Sequence, residues 1–101
     1  MSTASLPPEG KKTLAPTFTV TGDLTFAHVM QQRAVGLTAL AAGTHSISLA
    51  AVQNIDSAGL SVLLEWQRVA QKNGIGLSFS DDPATLQSLA KVYGVEALLG
   101  L

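Results

Sequence analysis

An α/β domain, a small mixed or parallel sheet covered by helices, is the fold class this sequence predicts, and three observations predict it. Strand-like and helix-like apolar patterns alternate three times along the chain, as in parallel strands joined by helical crossovers. A glycine closes each helical segment, at Gly43, Gly74 and Gly94. Finally, 101 residues with 47% apolar side chains supply one real core without covalent staples.

Each element follows in order. Residues 1–16 carry Pro7, Pro8, Gly10 and Pro16 among small polar residues with no periodicity, and read as a flexible N-terminal tail before a domain at 17–101. Residues 17–21 alternate polar and apolar as a half-buried strand that Gly22 ends. A helix capped by Asp23 or Thr25 is expected to run through Phe26, Val29, Met30, Val35 and Leu40 towards Gly43. Residues 46–52 form the second strand, followed by Asp56-Ser57-Ala58-Gly59-Leu60 and a helix reaching about Asn73. Residues 75–79 form the third strand. Asp82 is placed to cap a last helix, with Pro83 in its first turn and Leu86, Leu89, Ala90 and Tyr93 along it. Residues 95–101 suit either a short strand or a packed tail.

Charge and composition narrow the function. Six basic residues against seven acidic ones lack the electrostatic footprint of a nucleic-acid binder. Cysteine is absent, which rules out disulfide frameworks and thiolate metal sites and fits a reducing compartment. No apolar run reaches the length of a membrane span, and the opening residues lack the apolar run of a secretory signal, so a cytoplasmic domain is expected. Charged residues are only 13%, so part of the apolar surface is available to a partner.

The stretch from Asp56 to Leu64 is the most informative. Asp56 and Ser57 are both able to accept bonds from the free N–H groups of a helix start, and Gly59 leaves room for close packing. A hydroxyl at that end also lies in the positive pole of the helix macrodipole. At about 100° per residue, Val62, Leu63, Trp66, Val69 and Ala70 share one apolar arc, the core side. Opposite them stand Ser57, Leu60, Ser61, Leu64 and Arg68. Either the two leucines tuck against a neighbouring helix, or this side is a mixed docking ridge that begins at Ser57.

Chemistry finds little purchase elsewhere. His28 and His45 have no acid or hydroxyl at a motif spacing, and Asp81-Asp82 lacks the further carboxylates of a metal site. Gly74-Ile75-Gly76 precedes a strand, without the lysine and helix start of a phosphate loop. No nucleophile and base pair is visible, so a non-enzyme without cofactor or metal is expected.

The order of elements, together with residues 47–64, resembles a STAS domain, the family named for sulfate transporters and anti-sigma factor antagonists. Its signature of Asp, a hydroxyl residue, a small residue and Gly-Leu opening a helix is met by Asp56, Ser57, Ala58, Gly59 and Leu60. The resemblance implies one of two roles. In MlaB-like members the domain binds the MlaF-like ATPase of a Mla-type ABC transporter, whose permease lies in the inner membrane. That transporter moves phospholipids between inner and outer membranes to maintain outer-membrane lipid asymmetry. The domain would then be cytoplasmic and peripheral at the inner membrane through the complex. In anti-sigma factor antagonists, the hydroxyl at the place of Ser57 is phosphorylated to release a partner. Antagonists carry an acid where this chain has Thr25, and both GDLTFA (22–27) and LAKVYGVEALL (89–99) are closer to MlaB-like proteins. The family signature and the ridge on α2 together give Asp56, Ser57, Ala58, Gly59, Leu60, Ser61, Leu64 and Arg68 as the expected partner-binding residues, with Ser57 also the candidate for phosphorylation.

Overall fold

Three short strands pair in chain order, and that order dictates the layering. The computed structural model describes residues 17–101, so the tail expected at 1–16 lies outside the described residues. Within them, β1 (Thr17–Thr19), β2 (Ser46–Ser48) and β3 (Ser78–Ser80) form a parallel sheet in the order β1-β2-β3. Helices α1 (Val29–Ala41) and α2 (Ser57–Lys72) are the crossovers, and α3 (Ala84–Tyr93) and α4 (Glu96–Leu99) follow β3. Right-handed crossovers between strands laid down successively in one direction place their helices on the same face.

The register shows which face. Phe18 pairs with Ile47 and Ile47 with Phe79, so one row of apolar side chains crosses the sheet. By the two-residue period of a strand, Val20, Leu49 and Leu77 project to the same side, and all three are buried. The flanking rows are hydroxyl residues, Thr17, Ser46 and Ser78 and then Thr19, Ser48 and Ser80, none of them buried. The core therefore lies between one sheet face and the helices, with Trp66, Leu63 and Leu86 fully enclosed.

Helix α2 is the hub. Its apolar arc is as expected: Val62, Leu63, Trp66 and Ala70 are buried and Val69 is half-buried against the core. Gly74, at φ +72°, ends it, and the following Ile75 N–H returns to the Ala70 carbonyl at 2.8 Å, as a glycine stop requires.

Helix α1 differs from expectation. It begins at Val29 rather than near Asp23, because Leu24 is held in an isolated bridge and a turn, closed by the His28 N–H on the Thr25 carbonyl, follows it. Leu24 forms an isolated parallel bridge with Ile55, donating to the Asn54 carbonyl at 2.9 Å and accepting from the Asp56 N–H at 3.1 Å. Of the apolar residues expected along it, Phe26 precedes the helix and is 80% exposed, Met30 is 74% exposed, and Val35 is also exposed. The packed face is instead Val29, Gly36, Leu37 and Leu40. Gly36 is the contact itself: a Cβ there would overlap the Trp66 indole and stand 2.6 Å from its Nε1.

The last helix also starts otherwise than expected. Pro83, with ψ 147°, is the N-cap residue, and its carbonyl accepts from Leu86 N–H and Gln87 N–H. Asp82 therefore lies outside the helix and does not cap it, and its buried Oδ1 has no hydrogen-bond partner. Residues 95–101 hold the short helix α4, which buries Leu99.

Two glycines thus mark close approaches, Gly36 and Gly59, whereas a Cβ at Gly76 would meet nothing within 4 Å. Gly36→Ala and Gly59→Ala are each expected to lower unfolding free energy in urea by about 1–3 kcal/mol or more, as overpacking does. Gly76→Ala is expected to stay within about 0.5 kcal/mol of the wild type. Equal stabilities for all three variants would contradict the packing described.

Candidate functional site

The start of α2 is built by one carboxylate. Asp56 is the N-cap residue, and its Oδ1 accepts from the N–H groups of Ala58 at 3.0 Å and Gly59 at 3.1 Å. Its Oδ2 accepts from the N–H of Phe26 at 3.0 Å, thirty positions earlier in the chain. The same side chain thus caps the helix and ties down the segment leaving β1. The Phe26 N–H, then those of Gly59 and Ala58, stabilise the ionised form and hold this carboxyl below the usual carboxylate range, against partial desolvation.

Gly59 completes the joint. A Cβ at this position would overlap the Leu24 carbonyl oxygen and stand 2.7 Å from its carbon. The glycine of the Asp-Ser-Ala-Gly-Leu stretch is therefore a packing requirement, set by a loop that crosses the helix.

Ser57 has a different place from the one expected of it. It is the first helical residue, exposed, and Asp56 does the capping. The Ser57 carbonyl accepts from the Ser61 hydroxyl at 3.1 Å. The Ser57 hydroxyl stands at the surface at the positive end of a sixteen-residue helix.

From Ser57 an open groove runs along α2. Its first part, about 450 Å³, is lined by Ser57, Ala58, Leu60, Ser61 and Leu64 on one side and by Tyr93 and Val95 on the other. Leu64 also borders a smaller recess of about 130 Å³ with Gln67, Arg68, Gln71 and Leu98. Of the residues expected on a docking ridge, Ser57, Ser61 and Arg68 are exposed and Leu64 is half-buried. Leu60 is a correction: it is 3% exposed and belongs to the core, because the chain after Gly94 folds back over α2. Asp56 and Gly59 face the β1 exit loop, so they shape the site from behind.

The far wall was not found by sequence reasoning. Tyr93 and Leu98 are 57% and 55% exposed, yet their neighbourhood is fixed. Gln67 Nε2 donates to the carbonyls of Leu98 at 3.1 Å and Leu77 at 3.3 Å, binding α4 and the approach to β3 onto α2. Gly94, at φ +69°, turns the chain between α3 and α4. The signal was present in the apolar residues of LAKVYGVEALL, but their direction depends on that turn.

On its other flank α2 is tied to α1. Arg33 donates from Nε and Nη2 to the two carboxylate oxygens of Glu65 at 2.7 and 2.6 Å, a bidentate pair. The pair lowers the Glu65 pKa and raises that of Arg33. A separate recess of about 400 Å³ lies between the β1 exit and α1, bordered by Phe18, Asp23, His28 and Val35. Gln32 closes its floor by donating to the Thr21 and Asp23 carbonyls, and none of the expected site residues reaches it.

Residues 10–100 match the family model described as Mlab, STAS domain. Among solved structures, a sulfate transporter family protein from Wolinella succinogenes is similar, with a TM-score of 0.66 and 21% identity over 87% of this chain and 76% of that one. At that identity the likeness concerns the fold. No curated protein matches the chain significantly in sequence.

Two carboxylates are expected to pull acid stability in opposite directions. The Asp56 pKa is depressed on folding, so its stabilisation is complete above the unfolded-state value of about 4 and is lost as pH falls through the folded-state value. Asp56→Ala is therefore expected to cost about 0.5–2 kcal/mol at pH 7 and progressively less in acid. Burial and the neighbouring Asp81 raise the Asp82 pKa, so the charged form destabilises the fold at neutral pH and that penalty fades as pH falls. Asp82→Asn is expected to be more stable than wild type at pH 7, with the difference closing in acid. Urea titrations across pH check both signs.

Proposed function

The chain belongs to the MlaB-type STAS domain family, and on that footing we propose that it is the non-catalytic subunit that binds and supports the cytosolic ATPase of a Mla-type ABC transporter. Such a transporter moves phospholipids between inner and outer membranes and so maintains outer-membrane lipid asymmetry. Among the described residues no helix is long and apolar enough to cross a membrane. The domain would be cytoplasmic and reach the inner membrane, with its permease, through the ATPase.

The observation that carries the reading is the groove beside Ser57, taken together with the family. Apolar side chains at the carboxyl end of α3 and on α4 stand exposed next to Ser61, Leu64 and Arg68, and the backbone beneath is held by Asp56 and Gln67. A rigid face with a few exposed anchors is what a constitutive partner contact needs. No group in it is set up as a nucleophile with a base, which favours a binding role.

A second reading rests on one observation: the Ser57 hydroxyl is exposed at a helix N-terminus, where a phosphate would be accommodated by the macrodipole. On that reading the protein is an anti-sigma factor antagonist switched by a kinase. Capture from cell extract separates the two, since an ABC ATPase is expected and recovery of a serine kinase without it would favour the switch.

The groove makes a sharper test with variants. Leu98→Ser removes an exposed anchor and is expected to weaken ATPase binding with little change in Tm. Leu60→Ala is expected to cost about 2–5 kcal/mol of stability, since Leu60 is in the core. Ser57→Asp is expected to fold at least as stably as wild type and to fail in supporting ATPase turnover of the reconstituted complex. Normal turnover with Ser57→Asp would move the contact away from this helix end.

A further inference from the structure

Arg68 is the one charged side chain that lines either part of the α2 groove, and no acid lines it. Glu65, one turn back on the same helix, gives both carboxylate oxygens to Arg33 and feels the Arg68 charge without a hydrogen bond to it. Arg68 is exposed and has no hydrogen-bond partner among the described residues. At the opposite end of the groove, beside Ser57, the positive pole of the helix is already answered by the Asp56 carboxylate. Between these ends lie Leu60, Leu64, Tyr93, Val95 and Leu98. The groove is thus apolar along its length, with one cation, Arg68, towards its far end and no acid among its lining residues.

Its length suits a helix. From Ser57 to Gln71 it follows about four turns of α2, roughly 20 Å at 1.5 Å per residue. An amphipathic helix laid alongside presents apolar anchors at intervals of three and four residues over that distance. A second copy of this chain would bring no groove-lining carboxylate to Arg68, so self-association through this face leaves it without a hydrogen-bonded acid.

We infer that the groove takes an amphipathic helix of the partner that carries acidic residues, with apolar side chains between Leu64, Tyr93 and Leu98 and a carboxylate paired with Arg68. The inference rests on reading the groove as the contact with the ABC ATPase. Complementary charge of this kind acts mainly on encounter rate and salt dependence, and like charges brought together are strongly unfavourable.

The test is a titration of the full chain with the ATPase at low and high salt. Arg68→Gln is expected to weaken binding about two- to fivefold, the range of exposed pairs. Arg68→Glu is expected to weaken it by about tenfold or more, with the salt dependence flattened and the melting temperature unchanged. Reversing an acidic residue on the ATPase helix to Arg is expected to restore binding of Arg68→Glu. Wild-type affinity for Arg68→Glu at low salt, or a loss that no acid-to-base reversal rescues, overturns the inference and leaves the docking reading standing. Failure of the wild-type chain to bind the ATPase at all overturns both.

Discussion

One carboxylate organises the start of α2, on which the rest of the candidate site depends. Asp56 accepts the N–H groups of Ala58 and Gly59 from its own helix and that of Phe26 from the far side of the first crossover. The Leu24–Ile55 bridge lies beside it, and Gly59 lets the Leu24 carbonyl approach where any side chain would collide. Cap, bridge and glycine form a single joint between the exit of β1 and the start of α2. Each is inexpensive alone, but together they leave the helix end one orientation. Ser57 is therefore presented outward by its neighbours and takes no part in the cap.

The two flanks of α2 are spent differently. Towards α1, Trp66 fills the space above Gly36 and donates its indole N–H to the Arg33 carbonyl at 3.3 Å, while the Arg33 side chain is held by Glu65. That flank is closed. Towards α3 and α4 the packing is incomplete: Leu60 and Leu99 are buried, whereas Leu64 is half-covered and Tyr93 and Leu98 remain exposed. The incompleteness is local and firmly supported, which distinguishes it from a frayed edge.

Much of this was legible in the sequence. Alternating patterns and glycine stops found three strands and three helices in the right order, although the second strand ends at Ser48 rather than 52, the third lies at Ser78–Ser80 rather than 75–79, and α1 starts late; the apolar arc of α2 is the one that packs. Of the leucines opposite that arc, Leu60 is buried in the core and Leu64 is half-buried against it at the edge of the groove. Asp56 and Gly59 stood out in the sequence, although their reach to Phe26 and Leu24 did not. What stayed hidden was non-local. Phe26 and Met30 look like core by hydropathy, but the Leu24 bridge delays the helix and Gly36 supplies the contact face. Asp82 has the chemistry of a cap, but an extended Pro83 stands between it and the helix. The groove's far wall depends on the left-handed turn at Gly94 and on Gln67, which no periodicity reveals.

The most direct test of the proposed docking surface is methyl NMR of the full chain with and without the proposed partner, the ATPase domain. Leu64 and Leu98 report on the groove, Leu60 on the core beneath it, and Met30 on the exposed apolar face of α1. The expected result is a large change in the methyl signals of Leu64 and Leu98, a smaller one for Leu60, and an unchanged Met30. Perturbation of Met30 with Leu64 and Leu98 unmoved would place the contact on α1 and contradict the role given to the groove at Ser57.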